Sequence, residues 1–79
     1  MARVLLFGRL SDVAGWRSRD IDSPSLEALR DLLAGEDEAL AEALAAPGVQ
    51  IALDQAIMRG DAALSARSEV AFLPPMSGG

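Results

Sequence analysis

The sequence predicts an α+β domain in which a mixed β-sheet packs on one principal helix. Three observations point to this class: strand-like runs lie before and after one amphipathic helical segment, the chain has 79 residues, and 51% of them are hydrophobic. A chain of this length forms one domain, and strands on both sides of a single long helix favour a sheet layer covered by a helix layer. We therefore expect residues 1–79 to form one domain that carries a C-terminal tail at residues 74–79.

The N-terminal segment predicts two strands that form a hairpin. The run RVLLFGRL is continuously apolar at residues 4–7, as in a buried strand, and Gly8 bounds it. The run WRSRDID alternates in polarity, with Trp16 and Ile21 near its ends, and predicts the second strand. The segment SDVAG, which ends at Gly15, is expected to be the connecting loop.

The segment DSPSLEALRDLLAG gives the strongest helix signal in the chain. Ser23 is placed to be the N-cap, Pro24 fits the first helical position, and Gly35 is expected to end the helix. Leucines recur at helical spacing, which predicts that one face packs on a sheet. These leucines are Leu26, Leu29, Leu32 and Leu33.

Three further elements follow. EDEALAEALAAPG predicts a second short helix, with Leu40 and Leu44 on one face and an end at Pro47. VQIALDQAIMRG predicts a strand or hairpin with Asp54 and Gln55 as a tight turn. The segment GDAALSARS is expected to be a loop, and EVAFLPP is expected to be the last strand.

Composition excludes several classes of function. The chain has no cysteine and no histidine, so disulfides and thiolate or imidazole metal sites are excluded, and no metal or stably bound cofactor is expected. The net charge of −5 argues against nucleic acid or an anionic membrane as a partner. No segment reads as a signal peptide or a membrane span. We expect a cytoplasmic protein.

The last predicted strand carries apolar residues on both faces. Because successive side chains project oppositely, Val70 and Phe72 share one face and Leu73 lies on the other. If the first pair meets the helix, Leu73 lies on the uncovered face of the sheet. Together with Ile57 or Met58 it would form a patch for a partner protein.

The residues after this strand suit a reacting end. Pro74 and Pro75 cannot donate to a sheet ladder, so they end the strand and project the chain outward. Gly78 and Gly79 carry no Cβ, which allows a terminal carboxylate to enter a narrow channel. Adenylation by ATP would activate the Gly79 carboxylate. The chain lacks a G-x-x-x-x-G-K-[ST] motif, so we expect a partner enzyme to supply the nucleotide site.

The motif EVAFLPPMSGG closely resembles the C-terminus of the small subunit of molybdopterin synthase, the MoaD family. VLLFGRLSDVAG and SLEALRDLL also match that family in kind and placement, so the resemblance covers nearly the whole chain. It implies a ubiquitin-like β-grasp fold and a role as a sulfur carrier. The subunit is non-catalytic alone and donates sulfur within a heterotetrameric synthase.

The resemblance also implies partners and site residues. A MoeB-like enzyme uses ATP to adenylate Gly79, and a sulfur donor such as a cysteine desulfurase or rhodanese converts it to a thiocarboxylate. The tail then inserts into a MoaE-like large subunit, where sulfur passes to cyclic pyranopterin monophosphate to form the molybdopterin dithiolene. The implied inserting residues are Pro74, Pro75, Met76, Ser77 and Gly78, and the implied partner-interface residues are Phe72, Leu73 and Ile57.

Two segments depart from the family pattern. Arg67 and Ser68 stand where the family often has Gly-Asp, and Asp54 stands where it often has Asn. Both segments concern turn chemistry, so the expected effect is on local loop geometry and on affinity for partners. An Arg-Ser pair accepts a positive φ less readily than glycine does.

Other functions remain open on the residues alone. The chain could carry sulfur for thiamine or amino-acid biosynthesis instead. It could be a ubiquitin-like modifier that attaches through Gly79 to lysines of target proteins. It could also be a binding module with an inert tail. The chain itself has no lysine, so it offers no side-chain amine to an activated carboxyl group.

Overall fold

The computed structural model describes residues 1–75. Within them the chain forms five strands and three helices: β1 Ala2–Leu6, α1 Arg9–Ala14, β2 Ser18–Ile21, α2 Leu26–Glu36, α3 Glu38–Leu44, β3 Gln50–Leu53, β4 Ala56–Met58 and β5 Glu69–Leu73. None of these helices is long and apolar enough to cross a membrane. The predicted terminal residues Met76, Ser77, Gly78 and Gly79 lie outside the described residues.

The strands form one mixed sheet in the order β2-β1-β5-β3-β4. β1 and β5 are parallel, while the β1–β2, β3–β5 and β3–β4 pairs are antiparallel. The predicted α+β class, the N-terminal hairpin and the β3–β4 hairpin are confirmed. β5 occupies the centre of the sheet, between β1 and β3, so the strand that leads into the tail is hydrogen-bonded on both sides.

The hydrophobic core lies between one face of the sheet, which we call the inner face, and the three helices. Its members are Val4, Leu6, Leu10, Ile21, Leu26, Leu29, Leu33, Leu40, Leu44, Val70 and Phe72. All three helices contribute leucines to it, which confirms the predicted pair on α3 and, for the other three leucines of its stripe, the prediction on α2. Leu32 was predicted to belong to that stripe, but it is 36% exposed and lies outside the core. Since aliphatic burial supplies most of the stability of so small a domain, this cluster fixes which face of each strand is covered.

The helix α2 begins two residues later than predicted. Its N-cap is Ser25, whose hydroxyl oxygen accepts a hydrogen bond from the Ala28 amide at 3.1 Å, and not Ser23. The Ser23 hydroxyl instead donates to the Ser25 carbonyl at 3.1 Å. The predicted cap at Ser23 and first helical position at Pro24 are therefore wrong.

Contacts from a distant loop explain this start. The Leu64 amide donates to the Pro24 carbonyl at 2.9 Å, and Ser25 forms an antiparallel bridge with Ala63. These contacts hold residues 24 and 25 extended, with Ser25 at φ −154° and ψ 166°. Helical geometry therefore starts only at Leu26.

The end of α2 also differs from the prediction. Gly35 lies inside the helix, which ends at Glu36. Asp37 is the C-cap of α2, and its carboxylate accepts a hydrogen bond from the Leu40 amide at 3.2 Å as the N-cap of α3. Because a capping aspartate adopts extended backbone, Asp37 separates the two helices.

The segment predicted as the loop of the first hairpin contains the short helix α1. Gly8 precedes it and Gly15 ends it in the left-handed conformation, as a C-cap glycine does. Leu10 is 2% exposed and belongs to the core, which explains why the segment folds back onto the inner face. The burial of Leu10 thus stabilises a short helix whose local sequence signal is weak.

Candidate functional site at the end of strand β5

The end of β5 is fixed from both sides of the strand. Phe72 lies opposite Leu6 of β1 and Ile51 of β3, and Leu73 lies opposite Gln50. The Phe7 amide also donates to the Phe72 carbonyl at 3.3 Å. The backbone is therefore held up to the residue before Pro74.

Pro74 and Pro75 follow directly and leave the sheet, as predicted from their missing amide donors. They pass between two loops that each present a glycine. A Cβ added at Gly8 would lie 3.1 Å from Pro74 Cγ, and one added at Gly48 would lie 3.1 Å from Pro75 Cβ. No role at the tail is predictable for either glycine from the sequence, because each is far from the prolines along the chain and neither belongs to a recognisable motif.

The face of the sheet opposite the core, which we call the outer face, carries none of the helices formed by residues 1–75. Leu5, Ala71, Ala52 and Ile57 lie in register across the four strands β1, β5, β3 and β4. Leu73 lies one step further along β5, next to the tail. The outer apolar patch consists of Leu5, Phe7, Ala52, Ile57, Ala71 and Leu73.

The exposure of this patch is uneven. Ile57 is 50% exposed and Phe7 is 46% exposed, whereas Leu5, Ala71 and Leu73 are half-buried by their neighbours. Met58 packs against the core, so Ile57 is the apolar residue of β4 that belongs to the outer face. A contiguous apolar surface of this kind marks an interaction site more often than scattered exposed residues do.

Phe72 belongs to the other side of the sheet. Its side chain is 0% exposed and lies in the core with Val70 and the leucines of the helices. The prediction that Phe72 contributes to a partner interface is therefore corrected: the helices cover the face to which it points. Leu73 and Ile57 keep that prediction.

Two ion pairs involve strand β2, one on each face of the sheet. Arg3 and Asp20 form an exposed ion pair with 3.7 Å between Nε and Oδ1, across the β1–β2 pair. The stronger pair joins Arg19 of β2 to Glu36 at the end of α2, with 2.7 Å between Nη1 and Oε1. This hydrogen bond raises the pKa of Arg19 and lowers the pKa of Glu36 from its ordinary value.

The turn of the β3–β4 hairpin accommodates Asp54, which stands where the family often has Asn. Asp54 and Gln55 have φ values of 50° and 71°, the pattern of a type I′ turn. The Asp54 carboxylate accepts a hydrogen bond from the Glu69 amide at 2.9 Å, and the Asp54 amide donates to the Glu69 carbonyl at 2.8 Å. Asp54 thus ties this turn to the start of β5.

Hydroxyl groups accommodate Arg67 and Ser68, which stand where the family often has Gly-Asp. The Ser68 hydroxyl accepts from the Ser65 amide at 2.9 Å, and the Ser65 hydroxyl accepts from the Arg67 amide at 3.2 Å. Among the described non-glycine residues, only Asp54 and Gln55 have positive φ. The loop before β5 therefore requires no glycine at Arg67 or Ser68.

Comparison with known proteins agrees with this arrangement. The model of the ThiS family matches residues 4–79. The chain belongs to the ThiS family. It is 33% identical over 81 residues to the molybdopterin synthase sulfur carrier subunit of Escherichia coli strain K12, and the alignment covers 100% of both proteins. The resemblance to the small-subunit family is thereby confirmed.

Solved structures resemble this ThiS-family chain over nearly its whole length. SAMP1 from Haloferax volcanii has a TM-score of 0.78 and 26% identity, with 99% of this chain and 98% of that one covered. Small archaeal modifier protein 1 from Methanosarcina acetivorans has a TM-score of 0.87 and 20% identity, with 99% and 95% covered. The ubiquitin-like β-grasp fold is confirmed.

Proposed function

We propose that this protein is the sulfur carrier subunit of a molybdopterin synthase. The observation that carries the proposal is the full-length match, at 33% identity, to the E. coli molybdopterin synthase sulfur carrier subunit. Membership of the ThiS family supports the same class of function. The protein is proposed to act in the cytoplasm and to be non-catalytic by itself.

The geometry of the sheet supports this role. A tail that inserts into another protein needs a rigid attachment to its own domain. Strand β5 provides this attachment because it is hydrogen-bonded to both β1 and β3. The outer apolar patch lies beside the point where the tail leaves. The large subunit is proposed to dock on this patch, with Leu73 and Ile57 in contact, while the residues after Pro75 reach its active site.

The chemistry is proposed to occur at the Gly79 carboxylate. An activating enzyme transfers AMP from ATP to this carboxylate and releases pyrophosphate. The terminal sulfur of a donor persulfide then displaces AMP and forms an acyl disulfide, and a thiol reductant cleaves the S–S bond to leave a thiocarboxylate. In the large subunit the sulfur passes to cyclic pyranopterin monophosphate. Gly78 and Gly79 allow close approach in both partners because they lack a Cβ, and residues 74–77 span the distance.

The intact mass of the protein isolated from its own cells tests this proposal. We expect a mass gain that corresponds to the replacement of one oxygen by sulfur, and we expect its absence from a variant that lacks Gly79. Ser77→Ala is the matched control, because it keeps the length of the tail and both glycines and should retain the gain. An unmodified carboxylate in cells that are making the molybdenum cofactor would contradict the proposal.

A second candidate function is protein modification. It is favoured by the likeness to SAMP1 of Haloferax volcanii, at 26% identity over nearly the whole chain. In that case Gly79 would become linked to lysines of target proteins, and chains of conjugates could not grow through this protein's own side chains because it has no lysine. Isopeptide adducts that end in Gly79, found by mass spectrometry of digested cell protein, would identify this function.

A further inference from the structure

We propose that Gly48 is a positioning residue that sets the direction in which the chain leaves Pro75. The inference rests on the proposed function, because it concerns the delivery of the reacting end. Gly48 lies in the loop between α3 and β3, next to Pro47. It contributes no atom to the chemistry and acts only through its contact with Pro75.

The contact is too tight for a Cβ unless Pro75 or the loop moves by a few tenths of an ångström. A Cβ at Gly48 would lie 3.1 Å from Pro75 Cβ, 3.5 Å from Pro75 Cα and 3.6 Å from Pro75 Cγ. Two of these atoms belong to the rigid part of the proline, which cannot rotate away as a flexible side chain does. Any larger residue at position 48 therefore has to displace Pro75 or the loop.

The contact at Gly8 is less restrictive. A Cβ there would approach Pro74 only at Cγ, at 3.1 Å, and at Cβ, at 4.0 Å. The Cγ atom lies at the far end of the pyrrolidine ring and moves when the ring changes pucker. Gly8 therefore limits Pro74 at Cγ, while Gly48 limits Pro75 at Cβ, the ring atom bonded directly to Cα.

A displacement at Pro75 changes where the following residues go. The ring fixes φ of Pro75, so rotation about that bond cannot absorb a shift of its Cα. The direction of the chain after Pro75 therefore changes. Four residues follow it, and a reacting group has to reach its productive geometry within about 0.5 Å. A misplacement of about 1 Å can lower a rate by about 100-fold.

Two glycines with nearly identical φ allow a matched comparison. Gly48 has φ of 88° and Gly60 has φ of 90°, but no atom of residues 1–75 lies within 4 Å of a Cβ added at Gly60. Gly48→Ala and Gly60→Ala therefore carry similar left-handed backbone strain, and only the former meets Pro75. Differences between the two variants report the contact with Pro75 and not the strain.

The test combines an activity and a structural readout. We expect Gly48→Ala to lower the rate of thiocarboxylate formation at saturating activating enzyme by about tenfold or more, with little change in KM for the protein. Gly60→Ala should keep the wild-type rate. In the carbon NMR spectrum, the resonances of Pro74 and Pro75 should shift in Gly48→Ala and stay in place in Gly60→Ala.

A double-mutant cycle separates positioning from folding. In a Pro75→Gly background the contact at Cβ is absent, so the addition of Gly48→Ala should have no further effect on the rate. An equal loss in both backgrounds would overturn the inference, as would unchanged proline resonances in Gly48→Ala. If Gly48→Ala does not fold, the Pro75→Gly background decides: restored folding supports the inference, and failure of both variants to fold overturns it.

The two proposals can fail separately. If the wild-type protein forms no thiocarboxylate with any activating enzyme of its cell, the proposed function fails. The proline resonances then still decide whether Gly48 controls Pro75. If the wild-type protein reacts and Gly48→Ala matches Gly60→Ala in rate, only the role of Gly48 fails.

Discussion

The Ser25 hydroxyl accepts a hydrogen bond from the Ala28 amide and thereby satisfies one of the free amides in the first turn of α2. The neighbouring Ser23 hydroxyl makes a different interaction, a donation to the Ser25 carbonyl. Two serines that are separated by one proline in the sequence thus have distinct roles. At the scale of single residues, a helix cap depends on which hydroxyl faces the free amides.

Replacement of Ser25 by alanine is expected to lower the free energy of unfolding by about 1 kcal/mol, the usual value for the loss of an N-cap. For a domain of this size that corresponds to a decrease in Tm of about 4–8 °C. Ser23→Ala is the matched control and should have a smaller effect, since it leaves the Ala28 amide paired. Urea denaturation of the three proteins measures the difference. An equal loss in both variants would contradict the assignment of the cap.

At the scale of elements, the pair of Arg19 and Glu36 joins the edge strand β2 to the end of α2. The guanidinium donates two hydrogen bonds to the carboxylate, at 2.7 and 3.3 Å, and its Cζ lies 5.0 Å from the centroid of the Trp16 ring. The two side chains are 37% and 45% exposed, so solvent screens the pair and its contribution to stability is small. Its effect on the pKa of Glu36 is a more sensitive measure of the contact.

We expect the pKa of Glu36 to rise towards its ordinary value in Arg19→Gln, because the hydrogen bond that lowers it is lost. A lowered pKa in the folded state means that the pair stabilises the fold at neutral pH and that this contribution disappears as the pH falls through that pKa. NMR titration of the Glu36 carboxyl carbon measures the shift.

Arg17→Gln is the control for this titration, since it removes an arginine two residues from Arg19 in the sequence and leaves the pair of Arg19 and Glu36 intact. The pKa of Glu36 should then remain low. At molar salt the difference between wild-type protein and Arg19→Gln should shrink. A Glu36 pKa that is the same in wild type and Arg19→Gln would show that the contact is not formed in solution.

At the scale of the whole molecule, both faces of the sheet carry apolar residues. The helices pack on the inner face, and no helix of residues 1–75 covers the outer apolar patch beside the tail. Burial of apolar area is the main favourable contribution to association. A partner that covers the outer apolar patch would therefore also hold the start of the tail in place.

Ile57→Glu is expected to weaken binding of the large subunit by about tenfold or more, the scale of a residue at the centre of an interface. Because Ile57 is 50% exposed, the free energy of unfolding should change by only about 0.5 kcal/mol. Leu32→Glu is the control: it places the same charge on an apolar residue of α2 that is 36% exposed, on the helix side of the sheet. Calorimetric titration measures the affinity of each variant for the large subunit. Equal weakening by both variants would contradict the assignment of the docking surface.

Much of the fold could be predicted from local patterns in the sequence. Apolar runs and alternation located the strands, leucines at helical spacing located α2 and α3, and Asp54 with Gln55 marked the tight turn. The candidate site was predicted in part: the proline pair and the apolar alternation of β5 placed the tail and Leu73. The site residues 76–79 lie outside the described structure and remain predictions.

The sequence by itself thus determined the strands, the helices α2 and α3, their order and the opposite faces of Phe72 and Leu73, because periodicity, turn residues and prolines act over a few neighbouring residues. Only the tertiary structure decided that α2 begins at Leu26 with Ser25 as its N-cap, that α1 is helical and that the helices cover the face of Phe72. It alone revealed that Gly48 contacts Pro75. These features depend on packing between segments far apart in the chain, and no local pattern records which segments meet.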